Sequence, residues 1–169
     1  MQTIKDWAVF YTEKRLWAYP YNLKEEEWIY WKKLKSNDDY MTAFNSWDWE
    51  ESKGIKLVVG KKGVRVIEVS TKKLLEKTLA LLGLDDSYPW IIYSKSGYGI
   101  IVDTSGVSIR TKGIGNKSFK QLLLLWDGYY VLPSIGVSRY FYKNQIPQGH
   151  PKQIEDERLL NCIDTLIQI

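Results

Sequence analysis

The sequence predicts an α+β fold, a mixed or antiparallel sheet flanked by helices, and three observations carry that expectation. Two β-branched runs, Ile55–Val59 and Val64–Val69, flank Gly60-Lys61-Lys62-Gly63. That order reads as a hairpin, with glycines accepting positive φ between residues that pack on a pleated surface. Thr71–Leu82 follows at once, its Leu74, Leu75, Leu79 and Leu82 at helical spacing and Gly83 placed to end the helix. Short aliphatic and aromatic segments then return at Trp90–Tyr93, Tyr98–Asp103, Tyr129–Leu132 and Tyr140–Tyr142.

Taken in order, Asp6–Thr12 opens with a short helix and Arg15–Tyr19 follows as a strand stopped by Pro20. Leu23–Ser36 reads as a helix, with Glu25, Glu26 and Glu27 early and Lys32, Lys33 and Lys35 late, as the helix dipole favours. Asp38–Trp49 holds another short helix ending near Trp47. Ser70 is placed to cap the helix that begins at Thr71. Val107–Arg110 adds a strand, Lys112–Lys117 a loop, and Ser118 caps a helix through Leu125. From Glu155 a last helix carries Leu159, Leu160, Ile163, Leu166 and Ile167 on one side, beside Cys162. With no repeat or flexible linker, one domain spans 1–169. It comprises a helical, aromatic part (1–50), a core sheet (51–147) and a C-terminal helix (148–169).

Composition narrows the chemistry. A single cysteine excludes an internal disulfide and a cysteine-rich zinc site. A single histidine, His150, argues against a Ser-His-Asp triad or a multi-histidine metal centre. With 24 Lys and Arg against 20 Asp and Glu, the net charge of +4 suits a polyanionic partner. Eight Trp and twelve Tyr supply far more aromatic surface than usual, as core filling and as stacking surface for bases. Neither a run long and apolar enough to cross a membrane nor a signal-peptide core is present, so the expected setting is cytoplasmic, away from membranes.

Glu68 ends the second β-branched run, and Ser70 shares its side of the strand. A carboxylate closing an apolar strand needs water, a cation or a metal to offset desolvation. Asp103 ends another strand and would complete a carboxylate pair if the sheet register brought it opposite; Asp127 is a further candidate. Lys61, Lys62 and Arg65 crowd the expected hairpin tip as phosphate contacts. Ser94, Lys95 and Ser96 form a turn that suits phosphate through backbone N–H groups and an ammonium. Gly113–Ser118 lacks the glycines of a nucleotide-binding P-loop, though Lys112 and Lys117 remain phosphate candidates.

Several of these segments, in this order, resemble the bifunctional primase–polymerase domain of the archaeo-eukaryotic primase superfamily. They are the Trp47 segment, G-I-K-L-V-V-G-K-K-G-V-R-V-I-E-V-S (54–70), Y-S-K-S-G-Y-G-I-I-V (93–102), L-W-D-G-Y-Y-V-L-P-S (125–134) and R-Y-F-Y-K-N-Q-I-P (139–147). The resemblance covers roughly residues 40–147 and implies a prim-pol-like, RRM-like core. It also implies a nucleotidyl transferase in which two same-face carboxylates hold Mg²⁺ or Mn²⁺ and a histidine meets the nucleotide's phosphates. This chain departs at those points. The Asp-x-Asp position reads Glu68-Val69-Ser70, the histidine position reads Gly99, and the late Pro-Pro-Ser-x-His reads Leu132-Pro133-Ser134-Ile135-Gly136.

The leading expectation is therefore a catalytically degenerate relative that binds DNA, single-stranded or template–primer, with no cofactor. It would serve plasmid, phage or other mobile-element replication beside proteins such as a helicase. A working Mg²⁺- or Mn²⁺-dependent primase–polymerase using Glu68 with Asp103 or Asp127 is the second reading. A protein-interaction module that kept only the scaffold is the third.

Overall fold

The computed structural model describes residues 1–24, 26–27, 33–105, 117–119, 122–135, 137 and 139–167. Residues 25 and 28–32 of the expected Leu23–Ser36 helix, the Val107–Arg110 strand and Lys112 fall outside them, and of Lys117 the backbone alone is described.

Helix α1 (Ile4–Glu13) starts at Thr3, whose side chain accepts from the Asp6 N–H while Asp6 accepts in return, a reciprocal capping box. Strand β1 is shorter than expected, Ala18–Pro20. Tyr40, on α2 (Asn37–Ser46), accepts from the Ala18 N–H at 2.9 Å and donates to the Ala18 carbonyl at 2.7 Å. One phenol thus satisfies the outer edge of that strand.

Strands β2 (Ile55–Val59) and β3 (Val64–Val69) form where the β-branched runs predict, but they do not pair as a hairpin. β2 lies between β1 and β8 (Gly128–Leu132) in a three-stranded sheet. β3 lies between β5 (Gly97–Asp103) and β7 (Leu122–Leu125) in a six-stranded sheet of order β6-β7-β3-β5-β4-β9. Here β4 is Ile91–Ser94, β6 is Lys117–Phe119 and β9 is Tyr140–Tyr142. The Gly60–Gly63 segment is a corner, and Trp126-Asp127 makes a second corner beside it. The antiparallel ribbon β2–β8 thereby bends over to continue as β3–β7, as orthogonally packed sheets do. Every described strand pair is antiparallel, so the sheet is not mixed; one isolated parallel bridge joins Asp103 to Gln153.

The helix expected from Ser118 to Leu125 is instead β6 and β7. A leucine run suits either structure, and here pairing with β3 decides it. Leu122 and Leu124 become buried on one face while Leu123 and Leu125 turn to the other.

Helix α3 (Lys72–Leu81) is capped by Thr71, which accepts from the Leu74 N–H at 3.2 Å, one residue later than the Ser70 cap expected. Its buried Leu74, Leu75, Thr78 and Leu79 pack against β3, β5 and α4 (Asp156–Ile167). Helix α4 buries Leu159, Cys162, Ile163 and Leu166, which docks that side of the helix on the molecule. Burial pushes the Cys162 thiol up to about 12, far from a reactive thiolate. The six-stranded sheet is therefore covered on both faces. The α3 and α4 pair lies over Ile67, Val69, Ile100 and Val102, while the smaller sheet and α1 cover Val64, Val66 and Ile101. On that second side Tyr142 donates to Tyr11 at 2.7 Å, and Tyr11 donates to the Pro133 carbonyl. The buried residues of all these layers form one continuous cluster.

Candidate nucleic-acid interface

Glu68 sits near the end of β3, opposite Gly99 on β5 and Leu123 on β7. Its side chain enters the space between the two sheets. Tyr130 arrives from β8 to lie over Gly99, so closely that a Cβ there would stand 2.1 Å from the phenolic oxygen. Burial raises the Glu68 carboxyl above its usual range. Burial first, then the Glu68 and Tyr140 charges, raise the Tyr130 phenol, whose buried oxygen has no hydrogen-bond partner among the described residues. A glycine at position 99 is thus the complement of one tyrosine ring.

The other two candidate carboxylates stand elsewhere. Asp103 pairs with Val64, four register positions from Glu68, which is about 13 Å along the strand. Asp127 lies in the corner beyond Leu125, four residues past the Leu123 that faces Glu68. Both act electrostatically on Arg65, at the opposite end of β3. Burial lowers the Arg65 proton affinity and these two carboxylates oppose that shift. Among the described residues no group of three or more His, Cys, Asp or Glu gathers. Glu68 with the neutral hydroxyl of Ser70 is a poor donor set for two bridging cations, which need several hard oxygen ligands.

The expected basic patch is divided as well. Lys61 donates to the Leu34 carbonyl and lies over the Trp17 ring at 5.6 Å, and Lys62 lies over the same ring at 5.9 Å. Arg65 stacks on Trp126 at 4.3 Å and donates to the Gly60 carbonyl at 3.1 Å. Lys56 lies between Tyr21 and Tyr129, at 4.7 and 4.1 Å. Each of these cations is engaged by an aromatic face of the fold itself. Lys95 stands apart, in the β4–β5 turn next to the far end of β3, roughly 17 Å along that strand from the corner.

Lys95 has other company. An open cleft of about 890 Å³ is lined by Tyr93, Ser94, Lys95, Ser96, Arg139, Tyr140 and Phe141. Among the described residues two cations and no carboxylate line it. Ser94 and Ser96 hold the turn through a hydroxyl–hydroxyl bond of 3.0 Å. Tyr93 is 48% exposed and Phe141 52%, whereas most other aromatic side chains of the fold are buried or partly buried. Sequence reading singled out Ser94, Lys95 and Ser96 but passed over Tyr93, Tyr98, Arg139 and Phe141. One signal was available: Tyr93 and Tyr98 sit symmetrically about the Lys95-Ser96 turn, which makes them cross-strand partners.

Comparison with known proteins adds no relative: no protein-family model matches the chain, and no curated protein does. No described helix is long and apolar enough to cross a membrane.

Proposed function

We propose that this chain is a primase–polymerase-like domain whose catalytic set has degenerated and which binds nucleic acid, as an accessory to replication of a plasmid, phage or similar element. The observation that carries the binding half is the cleft at the end of the six-stranded sheet, where Lys95 and Arg139 meet exposed aromatic rings without a carboxylate among the described lining residues. Cations recruit the phosphate backbone, and rings accept bases irrespective of sequence. The separation of Asp103 and Asp127 from Glu68 supports the degenerate half, because phosphoryl transfer depends on carboxylates converging on bridging cations.

The test has two arms. Labelled-nucleotide incorporation is measured on primed and unprimed single-stranded DNA with Mg²⁺ or Mn²⁺, beside a Glu68→Ala protein. The expected result is no incorporation by either. Incorporation that vanishes in Glu68→Ala overturns the degenerate reading in favour of an active enzyme. In the second arm, binding to a labelled oligonucleotide is expected to fall with salt and to be lost in Lys95→Glu/Arg139→Glu. Binding that ignores both salt and charge reversal removes the nucleic-acid reading and leaves an interaction module.

A further inference from the structure

We infer that Tyr98, Tyr93 and Phe141 form a stacking row for consecutive bases of a single-stranded polynucleotide. The row lies on the α3-bearing face of the sheet, not on the face of Glu68. This inference rests on the nucleic-acid reading above and gives it a ligand class and a binding surface.

The register makes the row. Tyr93 faces Tyr98 across β4–β5 and Phe141 across β4–β9, so the three side chains stand on one face of three adjacent strands. Glu68, Gly99 and Ile92 form the neighbouring row of opposite parity and point to the other side. Tyr93 and Tyr98 have ring centroids 5.4 Å apart, with planes inclined at 51°. That separation exceeds the 3.4 Å per base along one strand of a duplex, so the rings suit bases already pulled out of their own stack. A duplex hides those base faces, whereas a single strand offers them.

Two cations continue the pattern. Lys95, in the turn after β4, and Arg139, just before β9, line the same cleft as Tyr93 and Phe141. Each lies two positions along its chain from a ring of the row, Tyr93 or Phe141. Both cations are thus chain neighbours of the rings at one end of the sheet. A row of rings flanked by a pair of cations fits a polyanion that carries unstacked planar groups. Packing explains the partly buried Tyr98 but not two half-exposed rings on an edge strand and its neighbour, where exposed apolar surface invites aggregation.

Fluorescence anisotropy with labelled dT20, U20 and a 20-base-pair DNA duplex, each at one low salt concentration, tests the row. Binding to dT20 or U20 at least tenfold tighter than to the duplex is expected, and the ratio of the two single strands reports which sugar is preferred. Tyr93→Ala and Phe141→Ala are each expected to weaken single-strand binding about tenfold, as loss of one base–aromatic stack does. Tyr93→Phe, which keeps the ring, is expected to bind as wild type. Ultraviolet crosslinking of the wild-type complex, read by mass spectrometry, is expected to mark Tyr93 or Phe141 and needs no variant to fold. If Lys95→Glu/Arg139→Glu abolishes binding while Tyr93→Ala/Phe141→Ala keeps both affinity and single-strand preference, the row is overturned and the nucleic-acid reading stands. Crosslinks confined to other elements overturn it too. A wild-type protein that binds none of the three probes removes both.

Discussion

Glu68 and Tyr130 show how one residue's surroundings become a measurable quantity. Burial raises the Glu68 carboxyl above the ordinary value of 4.5, so the folded chain holds that proton more tightly than the unfolded chain. Its contribution to stability is therefore fully present below 4.5 and is lost as pH rises from there through the raised folded value. Glu68→Gln, neutral throughout, is expected to melt at or above wild type near neutral pH, with the gap closing as pH falls toward 4.5. A series of thermal melts checks this. A variant that melts clearly lower near neutrality would mean the Glu68 charge has a stabilising partner. Gly99→Ala puts a methyl 2.1 Å from the Tyr130 oxygen and 2.7 Å from the ring carbon that bears it. The ring is buried and has little room to retreat, so a loss of about 1–3 kcal/mol is expected. Tyr130→Phe removes a hydroxyl that is buried without a partner among the described residues and is expected to be neutral or stabilising. Combined with Gly99→Ala it restores part of the loss, because the nearest obstacle is gone and the next remains. A double-mutant cycle in urea gives the coupling directly, and strictly additive losses would contradict it.

At the scale of elements, the β2–β3 corner decides how the two sheets meet. Gly63 has φ +77, and a Cβ there would stand 2.6 Å from the Ser105 nitrogen and 2.8 Å from its Cα. Both obstacles are backbone atoms, which cannot swing away. Gly63→Ala is expected to cost about 2–4 kcal/mol, combining left-handed strain with overpacking. Urea unfolding should show the midpoint falling with an unchanged slope; an unshifted midpoint would mean the corner is free to relax. The same corner marks the limit of what the sequence discloses. Ile55–Val59 and Val64–Val69 are legible as strands because β-branching acts locally, and α3 and α4 are legible from their apolar periods. Which strand lies beside which is not local, so two runs with a glycine turn read as a hairpin although each pairs elsewhere. Leu122–Leu125 has no alternation to distinguish strand from helix, and only its position beside β3 makes it a strand. The candidate site divides likewise. Lys95 was visible as a turn cation, but the drawing of Asp103 and Asp127 toward Arg65 depends on a register set by tertiary packing. Tyr93 and Phe141 do not stand out in the sequence, because aromatic character does not reveal which side of a strand is wet.

Over the whole molecule, a net charge of +4 overstates the cationic surface that remains to meet a polyanion. Lys56, Lys61, Lys62 and Arg65 already lie on aromatic faces of the fold, and burial lowers the proton affinity of Lys56, Lys61 and Arg65. Withdrawing them from those rings to reach phosphate gives up contacts that desolvation has strengthened. Lys95 and Arg139, in the cleft, carry no such cost among the described contacts. Each phosphate neutralised on a single strand contributes about −0.7 to the slope of log affinity against log salt. Two to four contacts around the cleft thus predict a slope of roughly −1.5 to −3. Lys95→Ala is expected to reduce its magnitude by about 0.7, while Lys61→Ala leaves it unchanged. Titrating binding of a labelled single strand across salt concentrations, for wild type and both variants, measures all three slopes. A wild-type slope steeper than about −5, or one reduced by Lys61→Ala and not by Lys95→Ala, would place the strand on the β2–β3 corner and not at the end of the sheet. A shallow slope retained by tight binding points the other way. It means that most of the affinity comes from the rings, as expected of a protein whose large aromatic content exceeds what its core can hide.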